Sequence, residues 1–336
     1  MTLNSSGPIS LAGTTAGQSI ATEVGSGGTT NISLNDTTVR TLAGVASGTI
    51  SMPSNFWGKS YRIAVSTTIS SDSANLVINL SSIPGYAAGR SDITITVNSG
   101  IYVYGTSSQV GLTISGSTSG DKVIIVNNGY ILGCGGNGGD SNLSATVSGS
   151  TALQLPGVPV SLTNNGYIAG GGGGGGGAPN AGGGGGAGGG NGGNTSISTG
   201  GTGGSIGNKG SDAPYPPPPT HSGYGGGGGG GRILPGTGGT GGGAGNGSIG
   251  YGGGAGGGGG WGGLGTYSYY GNAGGAQNAN GGSGTQYEAG GGGGWGASGG
   301  SGSNYIYSAS AGGKSINLNG STITYITTGT IYGAVS

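Results

Sequence analysis

Residues 164–177 read NNGYIAGGGGGGGG, and this stretch joins the two sequence patterns that decide the fold. Its first seven residues repeat an earlier segment, NNGYILG at residues 127–133. Each copy follows an apolar run and leads into glycine. Asn-Asn-Gly favours a tight turn, because asparagine and glycine accept positive φ. The repeat is therefore interpreted either as a recurring hairpin device or as the start of one rung in a repetitive β or polyglycine layer.

Alternation of polar and apolar residues dominates residues 61–165. The segment DITITVN at residues 92–98 places Ile93, Ile95 and Val97 on one face. Such alternation indicates half-buried strands, and runs spaced by roughly 8–15 residues with Gly, Ser and Asp between them are typical of an antiparallel sandwich or barrel. Further short β-prone runs lie at residues 75–80, 101–104, 109–115, 122–127 and 321–326. The last of them is expected to pair back onto the earlier strands.

One short helix is predicted near the N-terminus. Asn35 or Asp36 provides a capping side chain for a turn through residues 37–42, and Gly44 provides the stop.

Glycine accounts for 97 of the 336 residues, with uninterrupted runs at residues 170–177, 182–186, 225–231, 256–260 and 290–294. Such runs are either flexible linkers or packed polyglycine II helices. In polyglycine II every N–H and C=O points sideways, so each rod needs hydrogen-bonding neighbours. Aromatic residues between the runs favour the packed form with irregular loops. The predicted fold class is mostly β plus polyglycine II: a short-strand antiparallel β domain followed by a stacked polyglycine II sandwich.

Charge and reactive side chains exclude several functions. The chain has 8 basic and 8 acidic residues, too few and too balanced for the basic face of a nucleic-acid-binding protein. Its one cysteine, Cys134, and one histidine, His221, allow neither an intrachain disulfide nor a histidine metal cluster. The longest aliphatic run, residues 123–126, is far short of a membrane span. We expect no catalysis, no cofactor, no metal and no membrane insertion; a depolymerase is the enzyme alternative.

The alternation of glycine runs with short aromatic or polar segments, mainly over residues 166–300, resembles the glycine-rich adhesins at the tips of long tail fibres in T-even-like bacteriophages. The resemblance implies a polyglycine II sandwich whose loops bind a receptor on the host surface. The flanks, NDTTVRTLAGVASGTISMPSNFWGKS at residues 35–60 and GKSINLNGSTITYITTGTIYGAVS at residues 313–336, resemble modules that bracket glycine-rich regions in phage tail and fibre proteins. A virion tail protein, made in the host cytoplasm and contacting other tail proteins, is implied.

Four regions follow from composition and resemblance. Residues 1–60 are expected to attach the protein to the virion through Phe56 and Trp57, and residues 61–165 to form a β spacer. Residues 166–300 are expected to bind the receptor, and residues 301–336 to form a C-terminal β segment.

Candidate receptor contacts are the aromatic and cationic side chains between glycine runs, because rigid aromatics and arginine are enriched at recognition surfaces. Trp295 lies directly against a run and is assigned to packing. A structural virion component, such as a fibre segment or decoration protein, is the alternative function. Protein and glycan receptors, and monomer and homotrimer, remain open. The candidate contacts are Tyr215, His221, Tyr224, Arg232, Trp261, Tyr267, Tyr269, Tyr270 and Tyr287.

Overall fold

The computed structural model describes most of the chain. The described residues are 2–141, 146–178, 181–195, 199–213, 223–224, 227–232, 250–251, 268–269, 275, 279–284, 288–302 and 308–336.

The first 60 residues form a small module with its own apolar cluster. It contains helices α1 (Ile20–Glu23) and α2 (Thr37–Ala43). The prediction of a helix here is confirmed: Asp36 occupies the N-cap position of α2, and Gly44 ends the helix with a φ of 72°. Phe56 is fully buried in the cluster, together with residues of both helices.

Three parallel sheets follow, and the chain visits them in the same order coil after coil. The first sheet contains β1 (Ile63–Ile69), β4 (Ser91–Val97), β7 (Lys122–Asn127), β10 (Val160–Asn164) and β16 (Ile323–Thr327). The second contains β2 (Ser73–Ala74), β5 (Tyr102–Tyr104), β8 (Tyr130–Leu132), β11 (Tyr167–Ala169) and β17 (Thr330–Tyr332). The third contains β3 (Leu76–Asn79), β6 (Leu112–Ser115), β9 (Leu153–Gln154) and β15 (Ile316–Asn317). A short 3-10 helix at Leu80–Ser82 follows β3. This is the topology of a parallel β-solenoid.

The prediction of an antiparallel β domain was wrong. Every pairing between these strands is parallel, for example Ile93 with Val65 on one side and with Val123 on the other. Alternation correctly placed Ile93, Ile95 and Val97 inside, where all three are fully buried. It carries no information on the direction of the partner strand, because both arrangements place every second side chain on the same face.

The repeated NNGY segment is a corner between two sheets and not a hairpin. In each copy the two asparagines and the glycine connect a strand of the first sheet to a strand of the second, β7 to β8 and then β10 to β11. The two corners stack one coil apart, with Asn127 paired to Asn164 and Tyr130 paired to Tyr167.

The glycine-rich region leaves the solenoid at one corner, between the second and third sheets. The connection there is the single residue Asn75 in the first coil and residues 105–111 in the second. It lengthens to residues 133–152 in the third coil and to residues 170–315 in the fourth. The chain then returns to the solenoid at β15, so β16 and β17 close the stack above β10 and β11.

Hydrogen bonds within the glycine layer follow a period of three. Along residues 171–176 the N–H groups donate, at 2.7 to 3.2 Å, to three neighbouring segments in rotation. The acceptors, in order, are the carbonyl oxygens of Ser150, Ala187, Ala297, Val147, Gly184 and Gly300. The carbonyl groups of the same residues accept from three other segments, through the N–H groups of Gly313, Gly136, Gly293, Ser310, Gly139 and Gly290. This segment therefore has six hydrogen-bonded neighbours.

Only glycine fits such close packing. A Cβ atom at Gly174 would lie 1.9 Å from the carbonyl oxygen of Asn137, and one at Gly171 would lie 1.8 Å from that of Cys134. Adjacent segments approach until backbone meets backbone, which satisfies the buried polar groups without side chains.

Three further short strands lie within the insertion. Strands β12 (Gly223–Tyr224), β13 (Gly250–Tyr251) and β14 (Ser268–Tyr269) form a separate three-stranded parallel sheet in the order β12-β13-β14.

Candidate functional site

Tyrosines line the outer face of the second sheet. The rings of Tyr102 and Tyr130 stack with centroids 4.3 Å apart, and those of Tyr130 and Tyr167 stack at 5.4 Å. Both pairs are within 7° of parallel. They lie in register because parallel pairing places Tyr102, Tyr130 and Tyr167 at the same position of successive coils. Burial raises the pKa of Tyr102, and the nearby Tyr130 raises it further.

The glycine layer covers part of this face. Trp295 is fully buried and packs with Leu132, Ala169 and Ala187. Leu132 and Ala169 come from the second sheet, whereas Ala187 and Trp295 come from the glycine layer. The prediction that Trp295 serves packing is confirmed, and this cluster attaches the layer to the solenoid.

Three tyrosines share one register position in the small sheet of the insertion. Tyr224 pairs with Tyr251, and Tyr251 pairs with Tyr269. Neighbouring strands lie about 4.8 Å apart, so the three Cα positions form a row. We call Tyr224, Tyr251 and Tyr269 the tyrosine row. The row joins two predicted receptor contacts through a third tyrosine that sequence reasoning missed.

Comparison with known protein families decides the identity of the chain. Residues 64–233, which span the first three coils, strands β10 and β11 of the fourth and the first part of the insertion, match the family model described as phage tail fibre adhesin Gp38. The chain belongs to this family. It is a receptor-binding adhesin of a bacteriophage tail fibre, as the sequence predicted. The adhesin is accordingly a component of the virion tail.

A solved structure is also similar over most of its length. It is the crystal structure of the gp37–gp38 adhesin tip complex of the bacteriophage S16 long tail fibre, with 17% sequence identity and a TM-score of 0.38. The match covers 97% of this chain and 100% of that chain. No curated protein sequence matches the adhesin significantly.

Several predicted contacts fall outside the described residues of the adhesin. They are Tyr215, His221, Trp261, Tyr267, Tyr270 and Tyr287. Their roles stay predictions.

Arg232 lies against the solenoid. Its guanidinium carbon is 5.3 Å from the centroid of the Tyr104 ring, and its Nε donates to the carbonyl oxygen of Gly188 at 2.8 Å. Tyr104 is on the outer face of the second sheet, so Arg232 bridges the glycine layer and the second coil.

The two predicted attachment residues occupy different environments. Phe56 is fully buried in the N-terminal module, whereas Trp57 is 40% exposed. The Nε1 of Trp57 donates to the carbonyl oxygen of Gly7 at 2.9 Å, which holds the exposed ring in one orientation. Of the two, only Trp57 exposes its side chain to solvent.

The described residues contain neither a membrane-spanning helix nor a metal-binding cluster. No helix among them is long and apolar enough to cross a membrane. The same residues bring together no group of three or more His, Cys, Asp or Glu side chains suited to a metal ion.

Two sequence repeats could have predicted the positions of Tyr251 and Tyr130. Tyr251 lies in GYGGG at residues 250–254, which repeats the GYGGG at residues 223–227. Aligning these copies would have placed Tyr224 and Tyr251 at equivalent positions. Likewise, superposing the two NNGY segments places Tyr130 on Tyr167.

Proposed function

We propose that the adhesin contacts its host receptor through the side of the insertion that carries the tyrosine row, and that it acts by binding without catalysis. The observation that supports this proposal is the shared register of Tyr224, Tyr251 and Tyr269 on three adjacent parallel strands. Tyrosine provides a large, rigid contact area at a low cost in side-chain entropy. Strands about 4.8 Å apart bring the backbone positions of the three tyrosines into one row.

The insertion suits this role because a rigid base supports it. Each glycine segment contacts a given neighbouring segment through hydrogen bonds at every third residue. The cluster around Trp295 fixes the layer to the solenoid. Binding residues are commonly held on loops by a rigid scaffold. We further propose that the glycine runs are polyglycine II helices. The period of three in their hydrogen bonds is what a helix with three residues per turn requires.

We propose that residues 1–60 join the adhesin to another protein of the tail fibre. The separate apolar cluster around Phe56 and the exposed ring of Trp57 support this role. The first module meets the solenoid through Glu23, whose Oε1 accepts from the N–H of Tyr61 at 2.9 Å. Assembly as a homotrimer stays a prediction.

Competition for host cells tests the proposed function. Cells of the host are incubated with the purified adhesin and then challenged with the phage. The proposal expects saturable binding of the adhesin and a matching loss of phage adsorption. Binding that leaves adsorption unchanged, or no binding at all, would instead favour a purely structural component of the fibre.

A further inference from the structure

A small polar cavity lies where the second coil of the solenoid meets the glycine layer, and it is distinct from the tyrosine row. Its volume is about 260 Å³. Its polar lining includes Ser107, Ser108, Asn137 and Asn191. Arg232 also faces it, and the buried Cys134 forms part of the lining.

The cavity presents a positioned cation. Stacking on Tyr104 and the hydrogen bond from Nε to Gly188 fix the guanidinium of Arg232. In the described part of the chain its two terminal nitrogens donate to no protein group, so they remain available to a ligand. Space around the guanidinium is tight, because a Cβ atom at Gly189 would lie 2.4 Å from Nε.

Two asparagines add fixed donors. The Oδ1 of Asn137 accepts from the N–H of Asn191 at 2.9 Å, and the Oδ1 of Asn191 accepts from the N–H of Gly203 at 2.8 Å. These bonds fix the orientation of both amides. Each Nδ2 group therefore points away from its backbone partner, and neither has an acceptor among the described residues. Both side chains are exposed at the rim.

A turn with left-handed backbone also lines the cavity. Ser107 and Ser108 have φ values of 48° and 66°, and the N–H of Gln109 donates to the carbonyl oxygen of Thr106 at 2.9 Å. Left-handed conformations of non-glycine residues are strained, and they gather at ligand sites. Asn75 holds the turn in place, because its side chain accepts from the N–H of Thr106 at 2.7 Å and donates to the Thr106 hydroxyl at 2.6 Å.

We propose that this cavity binds one sugar ring that carries an anionic group, either a carboxylate or a phosphate. The guanidinium fork matches both anions, and no carboxylate side chain is among the lining residues. The two amide groups and the two serine hydroxyls provide hydrogen bonds for ring hydroxyls. The volume suits a single ring, because it lies just below the roughly 300 Å³ at which drug-sized ligand pockets begin.

Asn137→Asp is the variant that isolates ligand binding from folding. The carboxylate keeps the acceptor for the N–H of Asn191 and replaces the outward donor with a negative charge. The chain already contains this arrangement three residues further on, where Asp140 Oδ1 accepts from the N–H of Asn194 at 2.6 Å. Asn280→Asp is the matched control, because Asn280 is exposed, lies outside the cavity, and its Oδ1 accepts from the N–H of Ser298 at 3.1 Å.

The test is calorimetric titration of the full chain with glucuronic acid, glucose 6-phosphate, glucose and inorganic phosphate. At least one of the two acidic sugars should bind with a millimolar or lower Kd. Glucose and inorganic phosphate should each bind at least tenfold more weakly than that sugar. Asn137→Asp and Arg232→Gln should each weaken its binding at least tenfold, whereas Asn280→Asp should leave it unchanged.

Several results would overturn the proposal. One is the absence of binding by both acidic sugars at millimolar concentration. Another is equal binding of inorganic phosphate, which would indicate an anion site without sugar recognition. A third is unchanged sugar binding in Asn137→Asp while its thermal unfolding matches that of the unmodified protein. None of these outcomes depends on binding to host cells, so the cavity and the tyrosine row are tested separately.

Discussion

The side-chain amide of Asn127 donates a 2.8 Å hydrogen bond to the side-chain oxygen of Asn164, one coil further along the solenoid. Both residues are fully buried. Asn164 in turn donates to the carbonyl oxygen of Thr328 at 2.8 Å, in the next corner. A chain of amides thus connects three successive coils at the corner from which the second sheet begins.

Removing one amide should destabilise the solenoid strongly. Asn164→Ala leaves the Asn127 amide with one acceptor fewer and removes the donor to the final corner, so we expect a loss of about 2–4 kcal/mol in the free energy of unfolding. Asn165→Ala is the control, because Asn165 is exposed and its side chain makes only exposed hydrogen bonds among the described residues, donating to Asn128 at 2.9 Å and accepting from the Thr327 hydroxyl at 3.2 Å. It should cost no more than about 0.5 kcal/mol. Chemical denaturation measures the free energy of unfolding of both variants. Equal losses would contradict a structural role for the chain of amides through Asn127 and Asn164.

Hydrogen exchange should distinguish the packed glycine layer from a flexible linker. The N–H groups of residues 171–176 donate to neighbouring segments and should exchange only through cooperative opening. The exposed corner at Ser99 and Gly100 provides a fast reference in the same molecule. Exchange of residues 171–176 as fast as this reference would refute the packed layer. The predicted protection of residues 256–260 falls outside the described residues and stays a prediction.

Phe56 and Trp57 allow packing and attachment to be tested by adjacent substitutions. Phe56→Ala removes a fully buried side chain and should destabilise the N-terminal module by about 3–5 kcal/mol. Trp57→Ala removes an exposed ring and should weaken retention on the virion while changing thermal stability little. Quantifying adhesin on purified phage particles checks this. Normal retention of the Trp57 variant would remove its side chain from the proposed attachment surface.

Stability at high pH should depend on Tyr86. Burial raises the pKa of Tyr86, the bond to Thr118 lowers it, and the nearby Asp121 raises it again. The Tyr86 hydroxyl donates to the Asp121 carboxylate at 2.7 Å. Because the folded-state pKa lies above that of the unfolded chain, this contribution is complete below about pH 10 and is lost as pH rises through the folded-state value.

Comparing Tyr86→Phe with the unmodified protein tests the sign of this dependence. The variant should be less stable by about 1 kcal/mol near neutral pH, because it lacks the hydroxyl. The difference should shrink above about pH 10, where the unmodified protein loses the contribution of the neutral hydroxyl. Denaturation measured across this range gives the answer. A difference that grows with pH would show that the sign is wrong.

The sequence predicted individual strands better than their arrangement. The buried faces around Ile93 and Leu112 follow from period-two alternation, and the end of α2 at Gly44 follows from capping chemistry. Parallel pairing was missed because the connection between the second and third sheets has a different length in each coil. The coils therefore do not form a repeat of constant period in the sequence. The repeat is therefore clear only at residues 127–133 and 164–170, which differ only at Leu132 and Ala169.

The candidate surface was predicted only in part, for a related reason. Aromatic content drew attention to Tyr224 and Tyr269, but composition cannot show which loops become neighbours. Their common register with Tyr251 depends on the length and path of the segments that connect the three strands. Arg232 had the expected residue type, yet its stacking on Tyr104 arises from contact between segments far apart in sequence.

Binding of host cells by a double variant tests the proposed contact between the tyrosine row and the receptor. Purified adhesin carrying Tyr251→Ala and Tyr269→Ala is compared with the unmodified protein for binding to host cells. Tyr325→Ala is the control, because Tyr325 is a 40% exposed tyrosine on β16 of the solenoid. We expect the double variant to bind roughly 10- to 100-fold more weakly, which corresponds to about 1.4–2.8 kcal/mol, with unchanged thermal unfolding. Normal binding by the double variant, with or without lowered stability, would contradict the account.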